Sequence, residues 1–344
     1  MFLMRFDMRA PSTGAPAAAL YAAALDMASW ADSRGCLSVV VSEHHAAEDG
    51  FLPAPVVLAS ALAARTTKMP ITIAVVLLPL YDAVRLAEEM VVLDILSGGR
   101  VMWVAAVGYR REEFDMYGVD FSRRGEIAEE QLGIVLRAKT GEPFAHRGRL
   151  IHVTPSPLTP GGPLVAWGGG SAAAARRAGR HGIGFFAQKG DAELRKIYQD
   201  TCRASGHEPG MCLLPSRDDP TAVFVADDVD VAWRELGPYL LHDAVSYARW
   251  TEGDTSTTSI SGATTVDELR AEDRTHRVLT VAEARALVRS GVPLALHPLI
   301  GGLPPEIAWR YLRNVELVVE EGHEPGPDTS RAERDLPIDL SQEA

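Results

Sequence analysis

At 344 residues, 47% of them hydrophobic and 23% charged, the chain has material for one large α/β domain or two ordinary ones. Its formal charge of −12 at pH 7 argues against nucleic acid or an anionic membrane as partner, since both favour basic surfaces. Cys36, Cys202 and Cys212 have no metal-ligand spacing, no long apolar signal core opens the chain, and charges or prolines interrupt every long apolar run; the expectation is a cytoplasmic protein with no membrane span.

Along the chain, short β-type apolar runs alternate with Ala-, Leu- and Arg-rich helical stretches. Strands are predicted at 2–8, 37–42, 71–78, 101–107, 164–168, 183–187, 221–226 and 293–297. Helices are predicted near 16–34, 54–66, 81–96, 122–139, 171–181, 191–206, 227–240 and 304–321. The third helix has both ends marked: Asp82 can cap it, and "SGG" at 97–99 stops it. A helical crossover returns the chain in the same direction, so eight such units predict parallel strands closing into a (β/α)8 TIM barrel over residues 1–322. An open doubly wound sheet is the alternative. Residues 251–280, which include the polar run "TEGDTSTTSISGATT", form an insertion before the last strand, read as a lid loop. The acidic segment 323–344 is read as a flexible tail.

In a parallel barrel the carboxyl ends of the strands face the reaction space. The second strand ends in "VVSEHH", which puts Glu43, His44 and His45 at that rim. Strand alternation gives the two imidazoles different jobs, and one of them can move a proton near neutral pH. Adjacent histidines are not the i, i+4 pair of a helical zinc motif, so no metal is expected. The stretch "LVAWGGGSAAAARRAG" runs from a strand through glycines into a helix, making Gly169, Gly170 and Ser171 the candidates to hold a phosphate. A tight turn with no ligand is the plain alternative. A nicotinamide site is disfavoured, because the next strand ends in Gln188 and Lys189 instead of an acidic residue.

Gly108 and Tyr109 end the fourth strand, the glycine admitting a flat ligand and the tyrosine stacking or donating a hydrogen bond. Arg110 to Glu113 read as a solvated charged turn, and Arg100 as a structural charge at the opposite rim. His297 ends the last strand, while His242, Tyr247 and Trp250 precede the insertion as candidates to line a lid.

These motifs together, with "LHPLIGGLPPEIAWRYL" near the end, resemble the luciferase-like flavin-dependent monooxygenases, closely over residues 1–190. The resemblance implies a barrel that binds reduced FMN or, in sister branches, the deazaflavin coenzyme F-420. It implies that His44 is the catalytic histidine with His45 beside it, and that the phosphate sits on the Gly169–Ser171 turn. It also places an unusual cis peptide near Ala74–Val75, where backbone meets the flavin ring. Bacterial luciferase has a reactive cysteine and a phosphate-binding arginine where this chain has Ala106 and Val107, so the phosphate needs other donors. The reading is a two-component monooxygenase acting with O2 on a small organic substrate, supplied by a separate NAD(P)H-flavin reductase and assembled as a homodimer. A deazaflavin oxidoreductase and a non-catalytic flavin-binding barrel are the alternatives.

Overall fold

The computed structural model describes residues 1–252 and 256–319. β1 (Phe2–Phe6) buries Phe2, Met4 and Phe6 fully and leaves Leu3 and Arg5 half-buried, the two-residue period of a strand between a helical layer and a barrel interior. α1 (Ala17–Asp32) carries the chain back to β2 (Val39–Val41), and α2 (Pro55–Arg65) to β3 (Ile71–Leu77). α3 (Ala83–Ser97) begins where the Asp82 carboxylate accepts from the amides of Val84 and Arg85, and ends at Gly98 in the left-handed conformation (φ 68°). β4 (Val101–Ala106), α4 (Arg111–Tyr117) and α5 (Arg124–Ala138) follow.

A two-stranded antiparallel hairpin, β5 (Phe144–His146) with β6 (Arg149–Ile151), stands outside the main sheet. The alternation then resumes with β7 (Leu164–Gly169), α6 (Ala172–His181), β8 (Gly184–Ala187), α7 (Ala192–Ala204), β9 (Cys212–Leu213) and β10 (Ala222–Val225). The long α8 (Val229–Trp250) leads to α9 (Val266–Glu272), β11 (His276–Leu279), α10 (Val281–Arg289), β12 (Leu294–Leu296) and α11 (Pro305–Val319).

Ten strands pair in the order β11-β10-β12-β1-β2-β3-β4-β7-β8-β9, every neighbouring pair parallel. The last strand returns beside the first, with Phe2 opposite Leu294, so the sheet wraps as a barrel wall inside its helices. No ladder joins β9 to β11 among the described residues; there the Thr258 amide donates to the Gln188 carbonyl at 3.2 Å.

Two differences from the sequence reading have physical causes. Residues 251–280 are not simply a loop: α9 and β11 lie there, and β11 extends the sheet beside β10. Thr265 caps α9, a signal hidden by the surrounding Thr and Ser. The helix predicted to stop at 240 runs on to Trp250 through Pro238, because Leu240, Asp243 and Ala244 continue its buried face. The acidic segment 323–344 lies outside the described residues.

Candidate active site

β2 ends early, and the chain beyond it is held by side chains rather than by ladder bonds. Glu43, only 1% exposed, accepts from the Leu77 amide at the end of β3 (2.8 Å), from Tyr81 Oη (2.8 Å) and from His45 Nε2 (2.7 Å). Tyr117 Oη lies 3.2 Å from the other ring nitrogen of His45 and donates to it when Nε2 carries the proton. His45 is therefore held on both sides, its bonds tying the end of β2 to Glu43 and α4.

His44 is held differently. Its Nδ1 donates to Glu113 Oε1 at 2.7 Å, and that same oxygen accepts from the His45 amide (3.0 Å) and Arg110 Nη1 (3.2 Å). With Nδ1 protonated, Nε2 keeps a lone pair, and its nearest polar neighbour is Tyr109 Oη at 3.4 Å. The ring sits among Trp250 (4.7 Å between centroids), Phe51 (4.9 Å), Tyr109 (5.5 Å) and Tyr247 (6.3 Å). Burial lowers its pKa below the ordinary 6.5, and this outweighs the opposing pull of Glu113. His44 is thus an oriented imidazole of lowered pKa facing an aromatic box. Arg110 and Glu113, read from sequence as a solvated turn, are in fact buried and hold this ring in place.

Across the barrel mouth, β7 runs into α6. Ser171 Oγ accepts from the Ala174 amide at 3.2 Å, while the amides of Ala172 and Ala173 open the helix without intrahelical acceptors. Gly169 has φ 150°, and a Cβ there would come within 2.8 Å of Ala174 Cβ. The stem of Lys189 crosses Gly170, its Cε 3.3 Å from where a Cβ would stand. This lysine supplies a positive charge beside the helix start. The Ala74–Val75 peptide is cis, and a Cβ on Gly168 would lie 3.1 Å from Val75 Cγ1, so only glycine lets β7 pack this close to that peptide.

Other candidates fall elsewhere. Gly108 was expected to leave room for a flat ligand. Instead its φ is 79° and a Cβ would lie 3.1 Å from Phe114, so it serves a turn whose open face is already filled. Of the lid candidates, His242 Nε2 bonds Asp49 at 2.9 Å, Tyr247 Oη accepts from Arg5 while its ring stands beside His44, and Trp250 packs on the His44 ring. His297, expected at the rim, is buried in the barrel interior 3.4 Å from Asp7.

That interior holds a buried ion network. Arg9 is fully buried; its Nε lies 3.2 Å from Asp7 and 3.7 Å from Asp243, and its Nη1 2.5 Å from Asp49. Burial pushes the Asp243 carboxyl up, but the His276 hydrogen bond at 3.0 Å and the charges of His276 and Arg9 hold it far below the usual range. At Asp49 the same contest, won by His242 and Arg9, leaves the pKa at about 2. Asp7, Asp243 and His297 offer ligand atoms within 4.8 Å of one another, yet Arg9 already stands against both carboxylates, where a metal cation would be repelled. The visible clue in the sequence was the alternation Arg5-x-Asp7-x-Arg9, charges on one face of a strand whose other face is Phe and Met.

The C-terminal rim of this barrel thus carries a carboxylate-oriented histidine, a glycine-lined helix start and a cis peptide. The luciferase-like monooxygenase family matches residues 2–308, and the chain belongs to that family. Its fold is shared by the monooxygenase RslO1 from Streptomyces bottropensis (TM-score 0.72, 22% identity, 94% of this chain and 100% of that one). It is shared also by the oxygenating constituent of 3,6-diketocamphane monooxygenase from Pseudomonas putida, a type II Baeyer-Villiger enzyme in complex with FMN (0.67, 19%, 93% and 96%). An F420-dependent secondary alcohol dehydrogenase holding an F420-acetone adduct is similar at TM-score 0.58 and 14% identity, over 86% of this chain and 91% of that one. Matches to the first curated relatives cover 38% and 32% of those proteins' length. No described helix is long and apolar enough to cross a membrane.

Proposed function

We propose that the protein is a flavin-dependent monooxygenase that takes reduced FMN from a separate NAD(P)H-flavin reductase and uses O2 to oxidise a small organic substrate. The observation that carries this reading is His44: buried, of lowered pKa, tied through Nδ1 to Glu113, with Nε2 turned to an aromatic box.

The residues present fit the cofactor. The free amides of Ala172 and Ala173, the Ser171 hydroxyl and Lys189 are donors suited to a phosphate, and they replace the arginine that bacterial luciferase carries on its fourth strand. The backbone at Ala74–Val75 would meet the ring. Bound reduced flavin supplies the electrons that activate oxygen. Phe51, Tyr247 and Trp250 exclude water from the space next to His44, which protects reactive species from hydrolysis. His44 Nε2 takes or returns a proton there.

The deazaflavin reading is supported by the likeness to the F420-dependent dehydrogenase. Anaerobic titration with each reduced cofactor, followed by an oxygen pulse, separates the two: tight FMN binding with substrate-dependent oxygen uptake supports the monooxygenase, and tight deazaflavin binding without oxygen uptake overturns it. The phosphate assignment has its own check. Lys189→Ala should weaken FMN binding about tenfold, one charge-assisted hydrogen bond, and leave riboflavin binding unchanged; an equal loss for both removes Lys189 from the phosphate.

A homodimer is part of the same proposal. Val57 on α2 and Val92, Ile95 and Leu96 on α3 are 71%, 44%, 42% and 60% exposed, an apolar surface on two adjacent helices that a second copy would cover. Light scattering should show Leu96→Glu as a monomer and the parent chain as a dimer; a dimeric variant would place the interface elsewhere.

A further inference from the structure

Buried polar atoms without a hydrogen-bond partner gather in one place. Among the described residues, Arg5 Nε, Arg9 Nη2, Asp49 Oδ1, Asp243 Oδ1 and both ring nitrogens of His297 are buried and unpaired, and all belong to the barrel interior under the aromatic box. Native proteins pair such groups with few exceptions, so a concentration of them implies a polar occupant. The cluster reaches the rings around His44. Phe51 and Trp250 lie against His44, and the Arg9 guanidinium lies over the same two rings, at 4.8 and 4.4 Å.

We infer that this cluster is the recognition subsite for the organic substrate, and that the substrate end it holds is an uncharged hydroxyl. The inference rests on the monooxygenase reading for the word substrate, but its chemistry comes from the cluster alone. Three carboxylates, Asp7, Asp49 and Asp243, face two guanidiniums, Arg5 and Arg9. That balance leaves an excess of negative charge, which disfavours an anion.

The unmet groups decide the rest. Arg9 Nη2 and Arg5 Nε can only donate, while Asp243 Oδ1 and Asp49 Oδ1 can only accept. A carboxylate would answer the donors alone, and an ammonium or metal ion the acceptors alone. A hydroxyl answers both, accepting from Arg9 and donating to Asp243. His297, at the end of the strand next to β1, completes the contact beside Asp7, and the rest of the molecule then extends past the rings toward His44. The anchoring bonds of Arg9 to Asp7 and Asp49 fix the donor before the ligand arrives, which lowers the ordering cost of binding.

The test uses the full chain, without flavin, and four probes that share one ring: cyclohexanol, cyclohexanecarboxylate, cyclohexylammonium and cyclohexane. Isothermal titration should show cyclohexanol binding at least about tenfold tighter than each of the other three. Asp243→Asn removes one negative charge and should shift preference toward the carboxylate by about tenfold. His297→Leu is the second variant: it should weaken cyclohexanol about tenfold and leave cyclohexane unchanged. A charged probe binding best, equal affinities, no binding at all, an unaltered order in folded variants, or a crystal structure with ordered water only between Arg9 Nη2 and Asp243 Oδ1 overturns the assignment. Failure of FMN to bind while cyclohexanol still does would instead remove the cofactor reading and leave this subsite standing.

Discussion

His44→Ala should lower turnover by about 10²- to 10⁴-fold, the usual contribution of a positioned acid or base, while reduced FMN still binds with near-parental affinity. The reason is the division of work at the rim. The proposed phosphate donors sit on β7, α6 and Lys189, whereas Nε2 of His44 faces the aromatic box with the Tyr109 hydroxyl 3.4 Å away. The parent enzyme should also lose activity as the pH falls. Burial lowers the His44 pKa, so the neutral form persists below the ordinary 6.5, and the acid limb of the rate profile should have its midpoint under that value. The linked stability has the same sign: a depressed folded-state pKa contributes stability at higher pH that is lost on acidification. Stopped-flow turnover across pH measures both the size of the loss and the limb. Unchanged turnover in the variant would take His44 out of the chemistry.

Arg9→Met should cost about 3–5 kcal/mol of folding stability, among the largest single-residue effects expected in this chain. Arg9 is fully buried and stands against Asp7, Asp49 and Asp243; removing it leaves three carboxylates around an apolar side chain with no guanidinium between them. Methionine approximates the stem, so the loss reports the charge and its hydrogen bonds more than the volume. Arg9→Lys keeps the charge but not the fork that reaches two carboxylates at once, and should fall between the parent and Met. Urea unfolding gives the measurement. A loss under about 1 kcal/mol for Met would mean the carboxylates take up protons or water at little cost.

Much of the barrel was legible because its signals are local. The alternation of β-type runs with capped helices is written in neighbouring residues: Asp82 and Gly98 mark both ends of α3, and Gly169-Gly170-Ser171 marks the turn into α6. The histidine pair at the end of β2 was visible for the same reason. What escaped was set by distance in the chain. Glu113 touches His44 across 69 residues and Asp49 meets His242 across 193, and no periodicity reports such pairs. Charged residues next to a turn look solvated in one dimension, and Arg110 and Glu113 were read that way. The insertion misled for another reason, since α9 and β11 follow a Thr- and Ser-rich stretch whose composition favours loop.

His45 illustrates the limit within the motif itself. Two identical side chains in adjacent positions differ in role because one points at Glu43 and Tyr117 and the other at an aromatic chamber. Strand alternation predicts that they diverge, but only the tertiary partners say which of them is free to act.

The most direct measurement is a crystal structure of the protein with reduced FMN. The phosphate should lie on the Ala172 and Ala173 amides beside Lys189, with the ring against Ala74–Val75 and the Nε2 side of His44. A phosphate bound at the opposite rim, or a ring placed away from His44, would contradict the account.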